Sequence, residues 1–291
     1  MQGRFIAVDW GTTNRRAYLI EADGTVLRTE RDDQGILAVP PGGFAAAAEA
    51  IRGRFGALPM LCAGMVGSDR GWQQVAYLPC PADLPALAGA VAWLGPGRTG
   101  IVPGISLRTE DRADVMRGEE VQLLGAVAGR LAPPDALLCQ PGTHCKWAVV
   151  KQGRIESFVT AMTGEIFALL KEHSLLARLL TGPVAPGAAF RAGIDAAKRG
   201  DLLASLFEVR AAALLGQRRA EDSAAYVSGL LIGSDVAARL DVPGTIVHLL
   251  ADPQLGPLYS AAIEALGGRA ILLDSHAAFV RGITEIWRQC R

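Results

Sequence analysis

This chain has no excess of charge of either sign. Its 291 residues carry 29 Lys and Arg against 29 Asp and Glu, so no net field draws nucleic acid or an anionic membrane to it. Small-molecule partners are the expectation. Long apolar runs are absent too: none approaches the about 18 residues that span a bilayer, and no basic segment followed by an apolar stretch precedes Phe5. This reads as a cytoplasmic protein. The cysteines, Cys62, Cys80, Cys139, Cys145 and Cys290, are odd in number and include no Cys-x-x-Cys, which argues against a disulfide framework and a zinc site. The four histidines are scattered, and only His144, in a turn, is a site candidate. No Gly-x4-Gly-Lys-Ser/Thr, Gly-x-Ser-x-Gly or His-Glu-x-x-His occurs, which removes P-loop, hydrolase-elbow and zincin chemistry. The one dinucleotide-like match, Gly95-Pro-Gly97-Arg-Thr-Gly100, leads into a proline-containing strand instead of a helix and reads as an ordinary turn.

What the chain does have is half its residues hydrophobic, enough for a substantial core, and one pattern written twice. Asp9-Trp-Gly-Thr-Thr13 and Gln140-Pro-Gly-Thr-His144 each close one apolar run and open another. A second turn follows each, at Asp23-Gly24 and Gln152-Gly153. Short apolar runs separated by such pairs favour hairpins, so each half opens with a three-stranded meander. Helix and strand patterns then alternate, with a helical insertion from 163 to about 240. The reading is α/β: a duplicated βββαβαβα unit with helix-covered sheets, divided into an N-terminal lobe, 1–112, and a C-terminal lobe, 113–291. Helices are expected over 42–55, 83–92, 115–129, 163–180 with Thr163 as N-cap, 254–266 and 276–289. Two glycine hairpins, one per lobe, can face each other and offer N–H groups and Thr hydroxyls to a polyphosphate. The glycine-rich segment 64–72 reads as a functional loop at a strand end.

Several motifs together resemble 2-dehydro-3-deoxygalactonokinase. They are Ile6-Ala-Val-Asp-Trp-Gly-Thr-Thr13, Cys62-Ala-Gly-Met-Val-Gly-Ser68 with Gly71-Trp72 and Tyr77-Leu-Pro-Cys-Pro81, Asp114-Val-Met-Arg-Gly-Glu-Glu120, Pro141-Gly-Thr-His144 with Lys146-Trp147, and Met162-Thr-Gly-Glu165. The match runs nearly end to end. It implies the two-lobed, actin-like ATPase fold (ribonuclease H-like) with mixed sheets, the last helix packing back at the lobe interface, and Mg²⁺- and ATP-dependent phosphorylation of the terminal hydroxyl of 2-dehydro-3-deoxy-D-galactonate to the 6-phosphate. Gln74, Ala76 and Ala251 stand where that family more often has Glu, Pro and Gly, and Ala251 is expected to crowd an adenine lying against its loop.

On residue chemistry, Asp9 ends an apolar strand, where an ionised carboxylate needs a cation, for which Mg²⁺ through water is the natural choice. Gly11, Thr12, Thr13, Gly142 and Thr143 are the phosphate-holding candidates, with His144, Lys146 and Asp252 added on the nucleotide side. The base that accepts the hydroxyl proton is sought among Asp114, Glu119 and Glu120. Related sugar kinases place it after a glycine at a helix start, which matches Gly118-Glu119. Met65, Gly67, Ser68, Arg70, Trp72 and Arg117 are the sugar-acid candidates, the arginines for a carboxylate. Another sugar or sugar-acid kinase, or a nucleotide-dependent sugar sensor without turnover, remains open beside this reading; a sensor has no reason to keep both a metal carboxylate and a base. A homodimer is compatible with the sequence, which fixes neither oligomeric state nor sugar stereochemistry.

Overall fold

The computed structural model describes residues 3–95 and 98–290. The Gly95-Pro-Gly97 turn lies partly outside them. The chain opens with β1 (Phe5–Trp10), β2 (Arg15–Ile20) and β3 (Val26–Asp32), followed by α1 (Phe44–Phe55), β4 (Met60–Ala63), β5 (Leu78–Pro79), α2 (Leu84–Gly89), β6 (Ala92–Leu94) and β7 (Thr99–Ile101). A hairpin of β8 (Ile105–Arg108) and β9 (Ala113–Met116) leads to α3 (Glu119–Ala128). The second meander is β10 (Ala136–Gln140), β11 (Cys145–Lys151) and β12 (Arg154–Ala161). Then come α4 (Thr163–His173), α5 (Ala188–Ala197), α6 (Leu202–Leu214), α7 (Ser223–Ala237), β13 (Ile246–Leu250), α8 (Leu255–Ala265), β14 (Arg269–Leu273) and α9 (Ser275–Gln289).

The duplication is visible in the strand order. One sheet runs β3-β2-β1-β4-β7-β6 and the other β12-β11-β10-β13-β14. In each, the first strand of the meander lies at the middle and pairs parallel with the strand that follows the helices. The sheets are mixed, since β1 pairs antiparallel with β2 on its other side. Central strands read as continuous apolar runs because helices cover both faces; β1 is buried at every position except Asp9.

Contacts divide the chain into two compact units. Unit 1 comprises residues up to Asp135, Ala148–Phe158 and the segment from Asp274; unit 2 comprises Ala136–Trp147 and Val159–Leu273. Residues 113–135 join unit 1 because α3 packs on α9, with glycines at the crossing: a Cβ on Gly125 would sit 2.0 Å from the Ala278 carbonyl, and one on Gly282 2.0 Å from that of Val121. Such close contact requires small residues. Unit 2 uses the same device between α5 and α7, at Gly193 and Gly229. Phe5 stacks on Trp287 at 4.7 Å and Tyr18 on Phe279 at 5.5 Å, which seats α9 on the first sheet.

Some expectations give way. The helix over 115–129 begins at Glu119, because Gly118 adopts φ 108° and breaks the chain between β9 and α3. β5, β8 and β9 form a third, small sheet from segments too short and too polar to show a strand period. The helix over 163–180 stops at His173, where Ser174 turns extended and its hydroxyl donates to the Leu170 carbonyl at 2.6 Å. Thr163 is not the N-cap: Met162 holds that place and the Thr163 hydroxyl donates to Asp235.

Candidate active site

The first turn is built as a cradle. The carbonyls of Gly11, Thr12 and Thr13 accept from the N–H groups of Ile36, Leu37 and Gly35 at 3.0, 3.2 and 3.2 Å. Gly35 admits this packing only because it lacks a Cβ, which would fall 2.3 Å from the Thr12 carbonyl oxygen. With their carbonyls occupied, the N–H groups of Thr12 and Thr13 find no acceptor among the described residues and are available to an anion. They line a cavity of about 170 Å³ together with Asp9, Asn14, Arg16 and Arg31. Arg16 lies opposite Asp9 in the β1–β2 register and its guanidinium contacts the imidazole of His276.

Asp9 is half-buried at the end of β1. Desolvation pushes its carboxyl up to about 6, opposed by Arg16 and reinforced by the negative charge of Glu119. Close backbone approaches bring Glu119 there: a Cβ on Gly64 would lie 2.8 Å from the Trp10 carbonyl oxygen, and one on Gly118 3.0 Å from the Gly64 Cα. The start of α3 is thereby drawn against the end of β1. The other two base candidates lie elsewhere. Glu120 is fully buried, and both its oxygens accept from the Gly118 N–H at 2.9 and 2.7 Å; burial, then Glu119, pushes it up to about 8. Asp114 sits on β9, accepting from the Val115 N–H at 2.8 Å and facing Arg112 at 3.8 Å.

The glycine-rich loop contributes selectively. Asp69, Arg70, Gly71 and Trp72 line a cavity of about 310 Å³ with Gly42 and Phe44, and Trp72 stacks on Phe44 at 6.3 Å. Met65 packs on the core, and the buried Ser68 spends its hydroxyl on the Met65 carbonyl at 2.7 Å. Gly67 makes room for Arg117, whose Nη1 lies 2.9 Å from where a Cβ would be. Arg117 is buried, with Nη2 donating to the Val75 carbonyl at 2.6 Å and its guanidinium 4.2 Å over the Tyr77 ring. Its Nε and Nη1 have no hydrogen-bond partner.

In unit 2 the second turn abuts the start of α4. A Cβ on Gly164 would lie 2.4 Å from the Gly142 carbonyl oxygen, and the Glu165 N–H donates to the Thr143 carbonyl at 3.0 Å. The positive end of the α4 dipole therefore stands beside Gly142. His144 pairs with Glu165 at 2.5 Å, and Lys146, buried, donates to Thr160 at 3.0 Å. An apolar cavity of about 520 Å³ opens here, walled by Gly142, Thr163, Phe167, Ile232, Leu255 and Tyr259 among others. Asp252 spends its carboxylate on the N–H groups of Gln254 and Leu255 at 2.8 and 2.7 Å, fixing the loop that forms one side of this cavity. Ala251 packs against the core of unit 2 and is not among the residues lining the cavity.

The family model of 2-keto-3-deoxy-galactonokinase matches residues 9–286. The chain belongs to the 2-keto-3-deoxy-galactonokinase family. The 2-dehydro-3-deoxygalactonokinase of Escherichia coli (strain K12) is 36% identical over 291 residues, covering 98% of each chain. A crystal structure from Sinorhizobium meliloti, provisionally assigned as a 2-dehydro-3-deoxygalactonokinase, superposes with a TM-score of 0.91 at 35% identity and covers 98% of each chain. The fold extends further: the ADPNP-bound activator of a 2-hydroxyisocaproyl-CoA dehydratase from Clostridium difficile shares it with a TM-score of 0.52 at 10% identity, covering 99% of this chain and 95% of that one. Arg16, Arg31 and the apolar walls of the unit 2 cavity are candidate residues that sequence reading did not single out. Arg16 follows Arg15 and Arg31 stands between Glu30 and Asp32, so neither is set apart from other charged strand residues. The cavity walls come from five separate segments, at 142, 163–167, 184–186, 228–232 and 253–259, that carry no shared motif.

Proposed function

We propose that the chain transfers the γ-phosphoryl group of ATP to the terminal hydroxyl of 2-dehydro-3-deoxy-D-galactonate in the cytoplasm, giving the 6-phosphate. The observation that carries the site assignment is Asp9 lining a small cavity that offers N–H groups, Thr hydroxyls and two arginines, with the start of α3, which bears Glu119, held against the end of β1. The nucleoside lies in the apolar cavity of unit 2, where the Gly142–Thr143 turn and the α4 N-terminus offer donors to phosphate; in unit 1 the Gly11–Thr13 turn with Arg16 and Arg31 offers an anion cradle of its own. Arg70 and Trp72 supply charge and a flat surface for the sugar acid. Glu119 takes the proton of the attacking hydroxyl as the new P–O bond forms and the bond to ADP breaks.

No cluster of three or more His, Cys, Asp or Glu that could hold a metal occurs among the described residues. One carboxylate fits Mg²⁺, which keeps several waters and takes its other ligands from substrate phosphates. Asp9 would hold it, and the ion would neutralise phosphate charge. A coupled ADP-release assay with MgATP over a panel of aldonates and 2-keto-3-deoxy acids tests the reading: turnover is expected with 2-dehydro-3-deoxy-D-galactonate, and silence across the whole panel sinks it.

A further inference from the structure

Asp235, on α7, is a buried carboxylate, 8% exposed, with no ion-pair partner among the described residues. Desolvating a charge without a cation is costly unless every lone pair that matters finds a donor. Three donors converge on it from three different elements. Trp147 Nε1 on β11 donates to Oδ1 at 3.1 Å, and the Thr163 hydroxyl at the start of α4 and the Tyr259 hydroxyl on α8 donate to Oδ2 at 3.1 and 3.2 Å. A carboxylate accepts from all three without rearrangement, whereas an amide of the same shape has one accepting oxygen, so the Thr163 and Tyr259 hydroxyls would have to turn from donating to accepting.

Two of those donors are walls of the apolar cavity: Thr163 and Tyr259 both line it. The third lies on the strand that leaves the Gly142–Thr143 turn. We infer that Asp235 is a positioning residue for the nucleotide, locking the Thr163 and Tyr259 side chains and the exit of the phosphate turn into one geometry without touching ATP itself. This rests on the nucleoside occupying that cavity. Hydrogen bonds to a charged acceptor are the stronger kind, and a wall that is fixed before binding need not be ordered by the ligand.

The test is a double-mutant cycle on the full chain, read by ADP calorimetry and by steady-state kinetics. Asp235→Asn is expected to weaken ADP binding and raise KM for ATP about tenfold, the scale of one lost charged hydrogen bond, with kcat and KM for the sugar acid within about twofold. Trp147→Phe removes one donor and is expected to weaken ADP about threefold. Adding it to Asp235→Asn, whose amide oxygen still faces the indole, is expected to cost less than the two single effects combined, as for partners in one network. A lower Tm with unchanged ADP affinity in Asp235→Asn overturns the inference. Should that variant fail to fold, unchanged ADP affinity in Trp147→Phe overturns it equally. Ile232→Trp, which fills the cavity, separates the two readings. ADP binding at wild-type affinity in Ile232→Trp removes the nucleoside assignment and this inference with it, whereas its loss there beside an unaffected Asp235→Asn removes the positioning role alone.

Discussion

Glu119 and Asp9 hold their places through glycines: a side chain at either Gly64 or Gly118 would force the start of α3 away from the end of β1. If Glu119 is the base, Glu119→Gln lowers kcat by about 10²–10⁴-fold, while ADP affinity measured by calorimetry stays at the wild-type value. A kcat within a few-fold of wild type would move the role elsewhere. Arg16→Ala is expected to raise KM for ATP at least about tenfold, since it removes one charge-assisted phosphate contact; an unchanged KM would exclude Arg16 from that contact. Asp9 was legible because a carboxylate closing an apolar strand is an anomaly that demands a partner. Which of three neighbouring carboxylates faces it was not legible, because that depends on Gly118 taking φ 108° and turning Glu120 inward.

At the scale of elements, the buried Glu120 makes the join between β9 and α3 pH-sensitive. Its carboxyl titrates at about 8 in the fold against an ordinary 4.5, so the folded chain binds more protons than the unfolded one between those values. Stability is therefore greatest below about 4.5 for this group and is lost as pH rises through 8. Thermal melts from pH 6 to 9 should show Tm falling, and Glu120→Gln should flatten that slope; parallel slopes in the two proteins would contradict the assignment. On the other unit, Gly164→Ala would press a methyl onto the Gly142 carbonyl, costing about 1–3 kcal/mol of overpacking or shifting α4 and weakening ADP, as melts and calorimetry would show. Both meanders and the β13, α8, β14 and α9 order could be read from apolar periodicity and turn residues. The small β5-β8-β9 sheet could not, since four-residue strands such as Ile105–Arg108 are too short to show a period and β8 takes one of its two partners, β5, from far back in the sequence.

For the molecule as a whole, the balance of 29 cationic and 29 anionic side chains leaves affinity to local sites. No helix among the described residues is long and apolar enough to cross a membrane. MgADP alone is expected to slow amide hydrogen exchange in 142–147, 163–167 and 253–259, and to leave 64–72 unchanged until the sugar acid is added. Protection of 64–72 by nucleotide alone would contradict the separate placement of the two ligands. The domain boundary was the least legible feature. Sequence places a division at one point, between 112 and 113, but the compact units interleave because α3 and α9 pair through Gly125 and Gly282.

That interleaving has a consequence for synthesis. The sheet surface around Phe5 and Tyr18 is translated first, yet the aromatic rings that cover it, Trp287 and Phe279, belong to the helix made after all of unit 2. Unit 2 is translated in full before α9, whereas the first sheet must wait, greasy side bare, for α9 to emerge. A chain ending at residue 273 and held on the ribosome by a linker that clears the exit tunnel should carry a protease-resistant unit 2 tethered to an N-terminal region that holdase chaperones recognise.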